Sequence, residues 1–124
     1  MDIILVMKNI TIVYPGDKTF RFQHPSTAED KDLLELLFAE WNAGSCQECD
    51  LFLNGNQRSM STGDFVCIDG NWYQCMSIGW EKTDIAHVNA FEQLVVERVK
   101  SDPECQGSGW CAAGKIRWEL YKQL

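Results

Sequence analysis

Four of the six cysteines stand at spacings that suit a metal. Cys46-Gln47-Glu48-Cys49 is a CxxC pair, the spacing that lets two thiolates reach one zinc ion, and Cys105 with Cys111 supplies a second pair in a later loop. Together they would make a four-thiolate structural site joining the two loops. The alternative is independent free thiols. A redox role for the CxxC pair lacks the surrounding βαβ pattern. Cys67 and Cys75 fall within apolar runs and read as small core residues. The two histidines are His24, before Pro25, and His87, in the first turn of a helix, whose positive end disfavours the imidazolium. No HExxH, GxSxG or Walker pattern is present. Asp64, Asp69, Glu81 and Asp84 gather around one hairpin in sequence and would suit a divalent ion, but solvated turn carboxylates are commoner. The expectation is a protein that is not an enzyme.

Arg58-Ser59-Met60-Ser61-Thr62-Gly63-Asp64 can be read in two ways. As structure, it is a polar turn feeding the strand that starts at Phe65, with Ser and Asp side chains accepting from free backbone N–H groups and Gly63 supplying an unusual φ. As function, Arg58, Ser59 and Ser61 would hold an anion, making a small ligand-binding or hydrolytic domain. No glycine-rich loop leads into a helix here, which favours the structural reading.

The acidic residues suggest recognition instead. Seven acids and one base, Lys31, lie between Glu29 and Asp50. On a helical wheel Glu29, Asp32, Glu35 and Glu40 share the arc opposite Leu33, Leu34, Leu37, Phe38 and Trp41, and Leu36 falls among the acids. An apolar side chain ringed by carboxylates suits a docking face for a basic protein; the plainer reading is a solvated helix face. Of the five tryptophans, Trp41, Trp72 and Trp118 fit core or half-core positions. Trp80 and Trp110 each follow a glycine and are candidate partner anchors.

The elements that must position these residues follow from periodicity. An extended run over 3–14, the turn Tyr14-Pro15-Gly16-Asp17 and the alternating Thr19–Gln23 make a first hairpin. Ser26-Thr27-Ala28-Glu29 is a capping-box pattern opening a helix over Thr27–Asn42. Residues 43–57 read as a loop with a short strand at Leu51-Phe52-Leu53. A second hairpin, Phe65–Ile68 and Trp72–Ile78, turns at Asp69-Gly70-Asn71. With Gly70-Asn71 as its loop, Cys67 and Cys75 face opposite ways and cannot bridge. Thr83 or Asp84 caps a helix over Ile85–Lys100, and Ile116, Trp118 and Leu120 alternate as a last strand. The fold class is α+β: about five mainly antiparallel strands and two helices, in the order β-hairpin, helix, β-hairpin, helix, strand.

The chain of 124 residues, 45% hydrophobic and 23% charged, suits a single folded domain over 1–124 rather than a disordered tail. A net charge of −7 argues against direct binding of nucleic acid or of anionic membranes. The apolar run Ile3–Met7 is too short for a signal peptide or membrane helix, so a cytoplasmic location is expected.

Arg58-Ser59-Met60-Ser61-Thr62-Gly63-Asp64-Phe65-Val66, followed by Gly70, Tyr73 and Ser77-Ile78-Gly79-Trp80, resembles a pattern in small phage and plasmid proteins of the YodL-like group. Phe38-Ala39-Glu40-Trp41-Asn42 matches the end of the helix found upstream in those proteins, and Thr62 departs from their usual Val. The resemblance spans about residues 33–82 and implies a mobile-element origin and a β-rich core, not a reaction. The leading expectation is a non-catalytic binding module, an acidic inhibitor of a nucleic-acid-handling host defence protein. A structural or accessory phage protein is the further alternative.

Overall fold

The computed structural model describes residues 6–101 and 110–122, with side chains placed over 6–101 and 116–122. Five strands form one antiparallel sheet in the order β2-β1-β3-β4-β5: β1 (Met7–Val13), β2 (Thr19–Pro25), β3 (Phe65–Ile68), β4 (Asn71–Cys75) and β5 (Trp80–Thr83). The helices among the described residues are α1 (Asp30–Glu40), α2 (Asp50–Asn54), α3 (Ile85–Ser101) and α4 (Trp110–Lys122). The α+β class and the antiparallel sheet are as the sequence implies.

Alternation along the strands gives the sheet two apolar faces, and each takes its own helices. Ile10 and Ile12 of β1 and Val66 and Ile68 of β3 join Leu33, Leu34, Leu37 and Trp41 of the α1 region and Phe52 of α2 in one core. Val13 and Phe65 face the other way and pack with Val88, Phe91 and Val95 of α3 and Ile116 of α4. The sheet is therefore the middle layer of three. β3 is central and buried throughout, β1 is buried mainly in its second half, from Ile10 on, and β2 and β5 are the edges.

The first hairpin closes as its turn residues require. Tyr14 N–H donates to Lys18 O (3.0 Å), Asp17 N–H to Tyr14 O (2.9 Å), and Gly16 has φ +74°. In the second hairpin the two-residue loop is Asp69-Gly70, not Gly70-Asn71. Ile68 pairs with Asn71, and Asp69 and Gly70 have φ +48° and +89°, as a type I′ turn demands. Asp69 also accepts from Asn9 N–H (2.8 Å), which fixes the turn against β1. The change moves each strand by one position, so the face assignments survive: Cys67 lies opposite Trp72, and Cys75 lies on the Val66 and Tyr73 face.

Four further expectations are corrected. The helix does not start at Ser26, because Ser26 N–H continues the strand by donating to Val6 O (3.0 Å) and its Oγ accepts from Ala28 N–H (3.0 Å). Glu29 takes the cap position, without a side-chain cap bond, and α1 begins at Asp30. The short strand at 51–53 is instead α2, which sends Phe52 into the core. The terminal strand at 116–120 is part of α4: Ile116 and Arg117 are buried, Leu120 and Tyr121 pack beside them one turn on, and Trp118 is 41% exposed. The fifth strand comes from the middle of the chain. The run Trp72–Ile78 breaks at Cys75, and Met76 N–H donates to Gly79 O (3.0 Å) across a turn that returns as β5.

Candidate functional site

The Arg58–Asp64 turn is a buried ion cluster. Asp64 has no exposed surface, and Arg58 meets it through two hydrogen bonds, Nη1 to Oδ2 at 2.8 Å and Nη2 to Oδ1 at 2.7 Å. Ser61 N–H donates to Oδ2 at 2.8 Å, and Arg58 Nη1 also reaches Ser59 O at 3.0 Å. The guanidinium lies over the Tyr14 ring, 4.7 Å from its centroid. Arg117 enters from α4, with Nη1 3.6 Å from Asp64 Oδ1 and a hydrogen bond to Thr62 O. Burial opposes the Arg58 charge, but hydrogen bonds and attraction from Asp64 outweigh it and raise the pKa. For Arg117 burial prevails over Asp64, and its pKa falls. Burial, with the Asp64 charge behind it, raises the Tyr14 pKa and keeps that phenol neutral.

Each residue of the motif is accounted for locally. Ser59 Oγ accepts from Ala43 N–H (2.9 Å), and Met60 is buried with its N–H on Trp41 O (2.8 Å). Gly63 has φ +94°, and a Cβ there would stand 3.0 Å from Arg117 Cγ. The structural reading of the turn therefore matches its geometry, whereas Arg117 was missed. The clue was a lone arginine within the stripe Ile116, Leu120 and Tyr121.

The acids of the α1 region divide into paired and open groups. Asp30 accepts from Tyr73 OH (2.6 Å) and lies 3.7 Å from Lys8 Nζ. Glu40 is half-buried against His24, Oε1 to Nε2 at 2.9 Å. Glu48 accepts from Ser45 Oγ and Cys46 N–H. Glu29, Asp32 and Glu35 remain exposed, and Leu36 between them is 40% exposed. The acidic arc with its apolar centre is present, less Glu40.

Trp80 belongs to a second surface, on the other flank of the same helix. Its ring meets Phe38 edge-on, with centroids 6.5 Å apart and planes at 84°. Phe38 and Leu36 stand about 160° apart around a helix of 3.6 residues per turn. Between α1 and the β4–β5 turn lies a groove of about 250 Å³, lined by Glu35, Phe38, Ser61, Thr62, Met76 and Trp80 among others. A neighbouring groove shares Glu35 and Trp80 but adds Lys31 and Lys82. Nothing in the spacing of these residues announces the groove, because it needs the β4–β5 reversal. That reversal also leaves Ile78 at its tip 94% exposed. The Trp110 side chain lies outside the described residues.

The remaining candidates do not converge. Cys46 is exposed, and burial raises the pKa of the half-buried Cys49. Cys105 and the side chain of Cys111 lie outside the described residues. Among the described residues no group of three or more Cys, His, Asp or Glu is placed to hold a metal. Asp64 is consumed by arginine, Asp69 sits in a turn, and Asp84 caps α3 through His87 N–H (2.9 Å). His87 is held by Gln74 Oε1 (3.2 Å) and by the rings of Phe65 and Phe91. Among the described residues no helix is long and apolar enough to cross a membrane. Comparison with protein-family models, curated proteins and solved structures returns no match to this chain.

Proposed function

We propose that this protein is a non-catalytic binding module that docks a basic protein surface on the outer side of α1. One observation carries the reading: Leu36 stays 40% exposed while Glu29, Asp32 and Glu35 beside it are open to solvent. Such a patch suits an apolar contact with a charged rim. The rival reading, an anion or hydrolysis site at Arg58–Asp64, loses its support because Asp64 already occupies the guanidinium face of Arg58. The YodL-like motif favours a mobile-element origin, and a nucleic-acid-handling host protein is a natural owner of a basic surface.

Pull-down from host extract compares the protein with its Asp32→Lys/Glu35→Lys variant. Basic proteins enriched on the first and depleted on the second are expected. Equal enrichment on both would overturn the docking face.

A further inference from the structure

Glu35 has one further property that the docking face does not use. Among the described residues it is the only charged one lining the groove between α1 and the β4–β5 turn, and it makes no hydrogen bond or ion pair with any of them. Beside it the aromatic edge of Trp80 is held by Phe38, so the wall is set before anything binds. Ser61 and Thr62 also line it, and the Thr62 hydroxyl donates to Met76 O at 3.4 Å while its oxygen can still accept. At about 250 Å³ the groove falls below the roughly 300–1,000 Å³ of small-molecule sites, and it suits one long side chain.

We propose that this groove receives a single arginine side chain, offered by the basic partner of the preceding section. The proposal rests on that reading for the owner of the arginine, but not for the chemistry. A guanidinium brings five donors and a planar face, which match one carboxylate, two hydroxyls and an indole ring. Lysine, a strongly hydrated point charge, matches the ring and hydroxyls less well.

The test is an NMR titration of the full chain with N-acetyl-arginine amide and, separately, N-acetyl-citrulline amide. The Trp80 indole N–H resonance is identified by its loss in Trp80→Phe. A saturable shift with the arginine probe and none with its neutral isostere is expected. Glu35→Gln, an exposed change that spares the fold, should weaken binding by roughly threefold or more. Leu36→Ala should leave it unchanged. No saturable shift, an equal response to citrulline, or unaltered affinity in Glu35→Gln would overturn the proposal. A failed arginine titration beside protein capture that is lost in the single variant Asp32→Lys sinks the arginine site alone. A successful titration beside charge-independent capture supports the arginine site and sinks the docking face.

Discussion

A carboxylate with no exposed surface stays charged only if the protein replaces its water, and Asp64 does so with two guanidinium groups and the Ser61 N–H. Removing Asp64 leaves the buried Arg58 guanidinium without its carboxylate. Asp64→Ala should cost about 3–5 kcal/mol in urea unfolding, whereas the apolar pair Arg58→Met/Asp64→Leu should cost less than either single change. An additive loss would show that the two residues act separately. The Asp64-centred turn was legible because Ser, Gly and Asp before a strand have local backbone work to do. Its link to Arg117 was not, since no local pattern pairs residues so distant in the chain. A pH effect belongs at this scale too. Burial pushes the Cys75 thiol up to about 12 from 9.0, with Asp64 adding to the shift. The folded state thus holds this proton more tightly than the unfolded chain. The stability it contributes is complete below about pH 9 and drains away as pH rises towards 12. Melting temperature should fall across that window, and Cys75→Ala should make the fall shallower. Parallel curves for the two proteins would count against it.

Among the elements, the helices with sustained stripes were readable and their ends were not. α3 spans Ile85–Ser101, almost as its three-to-four spacing predicts, with Asp84 supplying the cap. α1 begins later than its capping-box pattern because Ser26 is claimed by the β-ladder. Its cap residue, Glu29, makes no side-chain cap bond, so the helix start has room for improvement. Glu29→Ser should stabilise the fold by about 0.5–1 kcal/mol, read from denaturant midpoints. No gain would mean that Ser26 and the chain before it already fix that end. α4 was misread because Ile116, Trp118 and Leu120 alternate as neatly as Ile116 and Leu120 recur one helical turn apart. Only packing decides between the two, and it buries Arg117 while leaving Trp118 stacked on Tyr121 at the surface.

The whole molecule places its charge to match its layers. The sheet keeps two apolar cores apart, and the acids of α1 that could interfere with the first core are drawn onto Lys8, Tyr73 and His24 at its margins. Glu29, Asp32 and Glu35 stay open on the solvent side of the α1 region, in a chain whose net charge of −7 is itself attractive to a basic partner at long range. Charge and contact should therefore separate in the kinetics of the captured complex. Asp32→Lys/Glu35→Lys should chiefly slow association, by an amount that shrinks as salt shortens the Debye length. Leu36→Ala should chiefly speed dissociation. With Leu36 already 40% exposed, the same change should cost the fold no more than about 0.5 kcal/mol. Thermal melts and surface-binding kinetics on the same variants check both halves. A large stability loss in Leu36→Ala with unchanged dissociation would mean that this side chain serves the fold, and that partners dock elsewhere.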